Sequence, residues 1–446
     1  MDAQLLLVLK RLHAVDLDAD PALQTHARWL VLDTLGCITA GLRAAPVAEL
    51  AQRAAAADPG NFRLMPDGPG LSAANAALVL AMAACWDEAC EGHAGAHGRP
   101  GVAAMAALWP MASRLSYGQF LKSWVVGYEI GARMGASLRI NPGMHVDGIW
   151  PALGAAAAVA HSLGLTPDQI VQAVNMAACQ LPMSLYWPVR SGDTARNTYL
   201  GHAAQLGQSA ALAVASGITA PAGSVAEYAR VGLGKPPVAF DDGPDFQLLK
   251  AYFKPYAAVR HVHYGALAAH ALRLSLDVAK IDRVVLQVYE EATIYCGNRA
   301  PQTPLQAQFS LSFGLAAMLR WGRLDPWVYR EPQFQDPALR ALEAKVQVQV
   351  DAPLTQQGLR GARLWITCQD GSRHEHEVTA VPGDAQMPFT EEALTGKFLS
   401  YCEGSLPAAQ REQLKRALFW HGFGELGTHS FVHPGADLGA VFEALE

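Results

Sequence analysis

The sequence predicts a mainly α protein: a large all-helical domain with a smaller α+β lid domain inserted before its last helices. Three observations predict it. Alanine-rich segments with apolar residues at three- and four-residue spacing run from Ala3 to about Arg260. After about Leu276 the texture changes to short, alternating, β-branched runs. The helical pattern returns from Thr390 onward. The boundaries read as 1–265 for the helical domain, completed by 395–446, and 266–394 for the lid.

Taken in order, helices are expected over 23–41, 73–85, 118–138, 151–163, 167–179 and 196–216. Several are apolar nearly all round, which suits the centre of a bundle. Gly164-Leu165-Thr166-Pro167-Asp168 ends one helix and starts the next, with Thr166 as N-cap and Pro167 at the first helical position. Residues 220–244, rich in Gly, Pro and Asp, read as a long loop over a cleft. In the lid, 282–289 and 345–350 alternate as strands, and 303–321 reads as one helix between them. Residues 361–368 and 374–378 read as two strands joined by the turn Gln369-Asp370-Gly371-Ser372. Residues 410–420 are the clearest part of the final helical stretch.

Composition narrows the function. A chain of 446 residues, 51% hydrophobic, can bury a large core and suits a compact enzyme. A formal charge of −6 speaks against nucleic acid as a partner. No stretch reaches the ~18 uninterrupted apolar residues of a membrane span; the nearest, 149–165, carries Pro151, Gly154, His161 and Gly164. The acidic N-terminus lacks a signal-peptide pattern, and the seven scattered cysteines hold no CxxC pair. A reducing cytoplasm without disulfides or an iron–sulfur cluster is therefore expected. No glycine-rich fingerprint follows a strand and no GxSxG is present, so NAD, ATP and a nucleophile elbow are not expected.

Four segments concentrate chemistry. In 87–99, Asp87, Glu88, Glu91, His93, His97 and Arg99 crowd beside an Ala-rich helix, in a chain only 17% charged. They offer an acid, a base and an anion anchor, or simply a solvated capping loop. His145 and Asp147 precede the small-residue helix that opens at Pro151. The free N–H groups of a helix start favour a carboxylate, with His145 as its proton partner; capping alone is the other reading. Arg196 opens another Ala-rich helix, as a bidentate carboxylate clamp or a solvated first-turn residue. Lys254, Arg260, His261 and His263 fall at the domain junction, where clefts form and where cations can hold anions while a His moves protons. A basic surface strand is the alternative there. His93-x3-His97 and His261-x-His263 have metal-permissive spacings, but no HExxH or firm helical pair supports a metal, and none is expected.

Further motifs lie in register with these. The run His26-Ala27-Arg28-Trp29-Leu30 leads to Asp33 and Cys37; His145 leads into the Gly154-Ala155-Ala156 helix start. Lys254-Pro255-Tyr256 precedes Arg260 and His263, and Gln306-Ala307-Gln308-Phe309-Ser310-Leu311 follows. Together they resemble the MmgE/PrpD family, which includes 2-methylcitrate dehydratase, cis-aconitate decarboxylase and iminodisuccinate epimerase. The resemblance spans most of the chain. It implies a helical domain with an α+β lid, a homodimer, and polar chemistry on small di- or tricarboxylates without metal or other cofactor. By the same resemblance Asp87 and His97 correspond to the Asp and His of the family's acidic loop. His145 and Lys254 correspond to its other catalytic positions, and Tyr295 to an active-site Tyr. Glu91 departs from a Thr, Arg196 from a common Lys, and Val259 from a His found in some decarboxylases.

The expected function is a metal-independent hydratase or dehydratase of a small polycarboxylate. His145 would take the α-proton. Asp87 or His97 would orient it or protonate the leaving hydroxyl, with Tyr295 as another donor. Arg99, Arg196, Lys254 and Arg260 would hold carboxylates and stabilise enolate-like charge; Glu91 and His263 complete the substrate-binding set. Epimerisation with Glu91 as second base, decarboxylation, carboxylate binding without turnover, and metal-dependent hydrolysis remain as alternatives.

Overall fold

A computed structural model of the protein describes residues 1–65 and 68–404. The helix expected over 410–420 lies outside the described residues.

Helices Pro21–Gly41, Ala73–Trp86, Pro100–Leu108, Tyr117–Ser137, Pro151–Ser162, Pro167–Ala178 and Tyr199–Ala215 pack on one another as a bundle. Pro151–Ser162 is central, with every residue from Pro151 to Ala160 buried. Its small residues are what let neighbours approach. A Cβ on Gly127 of the facing helix would stand 2.6 Å from the Ala158 Cβ and 2.9 Å from the Gly154 carbonyl oxygen. Shape matching at this density leaves no room for larger side chains. Helix starts follow local chemistry: Ser116 with Gln119, and Thr166 with Gln169, form reciprocal capping boxes.

The α+β part holds a four-stranded sheet in the order Val346–Val350, Ile281–Val288, Ala362–Cys368, Arg373–Val378. The first pair is parallel and the other two are antiparallel. Along Ala362–Cys368 the buried and half-buried positions alternate, as in a strand with one covered face. That cover comes from Arg260–Arg273, itself packed on Leu311–Trp321. The 369–372 turn closes as expected, with Gly371 at φ 83° and the Ser372 N–H donated to the Asp370 side chain.

Two expectations change. The single helix over 303–321 is two, Pro304–Gln308 and Leu311–Trp321, because the Ser310 hydroxyl accepts the Phe313 N–H and starts a new helix. The loop over 220–244 contains the helix Ser224–Gly232. After the sheet, Glu391–Cys402 returns to pack on Pro21–Gly41. Among the described residues no single helix is long and apolar enough to cross a membrane.

Candidate active site

A cavity of about 350 Å³ lies where the helical bundle meets the α+β part. Its floor is the acidic loop that follows Ala73–Trp86. Glu88 (φ 53°) and His97 (φ 56°) are, among the described residues, the two non-glycine positions with left-handed backbone, and both line the cavity. Such geometry costs about 1–2 kcal/mol per residue, so the surroundings must hold it. Gly92–His93 pairs antiparallel with Ala251–Tyr252, which carries the loop to Lys254. A Cβ at Gly92 would stand 2.3 Å from the Tyr252 ring, so only glycine fits this pairing. From behind, the buried Lys397 ammonium donates to Asp33 at 2.6 Å and to the Ala89 carbonyl at 2.7 Å.

A buried charge cluster forms the inner wall. Glu88 Oε1 accepts from Lys254 Nζ at 2.7 Å, and Lys254 also donates to the Glu88 carbonyl at 3.0 Å. Glu88 Oε2 accepts from Arg99 at 3.0 Å and from Arg196. Asp147 accepts from the other Arg99 nitrogen and lies 3.6 Å from Arg196. All five residues are no more than 5% exposed. Burial pushes Glu88 up, but Arg196, Arg99 and Lys254 outweigh it and hold the carboxylate well below its usual range. Asp147 is also held low: burial raises it, and Arg99, His145 and Arg196 more than reverse that.

The imidazoles differ in what they can do. His145 Nδ1 accepts the Asp147 backbone N–H at 3.2 Å, so the neutral ring carries its proton on Nε2. Burial pushes its pKa down to about 4, so the ring is neutral at pH 7. Tyr186 stacks on it at 5.8 Å and Tyr199 meets it edge-on at 5.6 Å. His93 is set the same way: Nδ1 accepts the Ala96 N–H at 3.1 Å. His97 stands exposed at the mouth, and no described residue hydrogen-bonds its ring. Burial, then Arg139, lowers its pKa below 6.5. His261 shares a 2.5 Å hydrogen bond with the Tyr289 hydroxyl and stacks on Tyr295 at 5.9 Å.

Of the residues assigned a catalytic or substrate-binding role from the sequence, His97, His145, Lys254, Tyr295, Arg99, Arg196 and Arg260 line the cavity. Asp87, Glu91 and His263 do not. Asp87 turns away to Arg330, at 2.9 Å. Glu91 is fully buried, accepting the Gly101 N–H at 2.9 Å and the Tyr128 hydroxyl at 3.4 Å; burial raises its pKa to about 8, so it is a neutral acid at pH 7. His263 is taken up by the Ala258 carbonyl at 2.9 Å. Arg260, although on the wall, is tied to Asp384 and to the Phe253 carbonyl.

Two domain descriptions cover nearly all of the chain: the MmgE/PrpD N-terminal domain matches residues 10–234, and the MmgE/PrpD C-terminal domain matches residues 256–420. The chain belongs to the MmgE/PrpD family. It is also similar to the cis-aconitate decarboxylase-like protein oryM of Aspergillus oryzae, 24% identical over 327 residues that cover 67% of each chain. In this MmgE/PrpD protein the cavity draws on both matched segments. Glu88, Arg99, His145 and Arg196 come from the first; His261, Tyr295 and Arg360 come from the second. Lys254 lies in the short stretch between them.

Tyr186, Arg139 and Arg360 are wall residues that the sequence did not bring forward, and Glu88 and His261 stood in its chemistry-bearing segments without a role of their own. For His261 a signal existed. It opens the helix Arg260–Arg273 two residues before His263, and two helical positions differ by about 200°, so only one of them can face the cavity. For Glu88 against Asp87 there was none, because the left-handed turn at Glu88 decides which carboxylate points inward. Among the described residues no three His, Cys, Asp or Glu side chains converge as a metal site.

Proposed function

We propose that this MmgE/PrpD protein is a metal-independent lyase that removes water from, or adds it to, a small polycarboxylate. One observation carries the reading: a buried cation cluster shares a cavity with two neutral imidazoles of opposite capacity. His97, whose ring no described residue hydrogen-bonds, takes the proton from the carbon next to a carboxylate. The Nε2–H of His145 and the Lys254 ammonium stabilise the negative charge that develops on the enolate oxygen. His145 is thus a donor, not the base its sequence context suggested. The C–O bond to the hydroxyl breaks, and the leaving group takes the Tyr295 proton and departs as water. The His97 imidazolium then returns a proton to the tyrosinate through water. Asp147, by donating its backbone N–H to Nδ1, keeps His145 in the required tautomer.

Decarboxylation is the second reading, supported by the decarboxylase-like relative and by the same cluster, which would stabilise the same carbanion charge. Epimerisation has less support, since Glu91, its candidate second base, lies outside the cavity. The deciding experiment is proton NMR of chelator-treated protein in D₂O with hydroxy- and unsaturated di- and tricarboxylates. Water lost or gained, with deuterium at the α carbon, supports the lyase. Carbon dioxide release with deuterium in the new C–H bond selects the decarboxylase. Turnover that appears only on adding a metal overturns the metal-free mechanism.

A further inference from the structure

The cation cluster that reads as the substrate's anchor is already occupied. Both oxygens of Glu88 are inside it, one on Lys254 and the other on Arg99 and Arg196. Asp147 takes the second arm of Arg99. Three cations therefore face two resident carboxylates, and one positive charge is left over. Glu88 is held there against a backbone penalty, at φ 53°, and Lys254 grips its carbonyl as well as its side chain. Two other cations reach the cavity wall from opposite sides. Arg139 follows the end of Tyr117–Ser137, is exposed, and has no partner among the described residues. Arg360, on the lid side, stands 3.4 Å from Glu291.

We infer that Glu88 is a built-in carboxylate filling the place of a third substrate carboxylate, so that the site takes a dicarboxylate and discriminates against tricarboxylates. The inference rests on the reading of this cavity as a carboxylate lyase site. One substrate carboxylate uses the residual charge of the inner cluster beside Lys254 and Arg196. The other lies at the mouth between Arg139 and Arg360. A third would stand against Glu88 or Asp147, both held ionised by the arginines and Lys254, and like charges in a buried site repel strongly. The substituent next to Glu88 is neutral, as a hydroxyl or an alkyl group is.

The test is calorimetric titration of the chelator-treated full chain with matched pairs: malate and citramalate against citrate and cis-aconitate. The wild-type protein is expected to bind the dicarboxylates tighter by at least ~10-fold. In Glu88→Ala the vacated cluster accepts the third carboxylate, so the preference shifts toward citrate, and added acetate restores dicarboxylate binding. Glu88→Gln removes the charge but keeps the shape, and is expected to shift in the same direction should the alanine variant not fold. Equal or tighter binding of tricarboxylates by the wild type overturns the role of Glu88 and leaves the lyase reading standing. Binding of neither series overturns the carboxylate reading itself.

Discussion

His97 and His145 divide the proton chemistry by what their nitrogens are free to do. With His145 near pKa 4, its protonation cannot limit the rate near neutrality. His97, whose pKa is lowered from 6.5, sets the acid limb instead. Turnover is expected to show an acid limb whose midpoint lies below 6.5, the ordinary imidazole value, as His97 binds a proton; a pH–rate profile checks it. His97→Ala and Lys254→Met should each lower kcat by ~10²-fold or more, the usual scale for a lost acid–base or charge-stabilising group. Added imidazole should recover part of the His97→Ala loss. Glu91 makes the opposite prediction. Its folded pKa of about 8 lies above the unfolded value of 4.5, so its stabilising contribution is complete below 4.5 and is lost as pH rises to about 8. Glu91→Gln, which keeps the Gly101 and Tyr128 contacts, should turn over normally. Relative to wild type it should gain stability as pH rises from 5 to 8, which urea midpoints would show.

At the level of elements, the site is a loop held open by its neighbours. The pairing of Gly92–His93 with Ala251–Tyr252 sets how far the loop reaches toward Lys254. Gly92→Ala would drive a methyl into the Tyr252 ring, an overpacking cost of about 1–3 kcal/mol. The expected result is a lower melting temperature together with a loss of kcat larger than that of an overpacked helix position far from the cavity. The bundle helices and the four strands were legible because apolar spacing, caps and turn residues are local signals. The 303–321 segment shows the limit of such signals. Its helical periodicity continues across Ser310, yet the hydroxyl of that serine caps a second helix. A serine inside a periodic run carries no mark of which role it will take.

In the whole molecule, the cavity joins the helical bundle to the α+β part, with Glu88 and Arg99 on one side and Tyr295 and Arg360 on the other. A ligand that bridges them stabilises both at once. At ~100 times its Kd a dicarboxylate should add about 2.7 kcal/mol to the folded state. Scanning calorimetry should show this as one transition moving upward; two transitions of which only one moves would mean that the ligand does not bridge the two parts.

By itself the sequence determined the mainly α class, the four strands, the capped helix starts and the resemblance to the MmgE/PrpD family, since each depends on neighbours a few positions apart. It also gave a catalytic or binding role to seven of the residues on the cavity wall. Only the tertiary structure decided which carboxylate faces inward and which cations are free. Arg196 and Lys254 meet Glu88 across 108 and 166 residues of chain, and one left-handed residue at a helix end sends Glu88 into the cavity and Asp87 away from it. Side-chain direction at a helix end, and the pairing of charges brought together from distant segments, are set by packing and mutual electrostatics, which residue spacing does not encode.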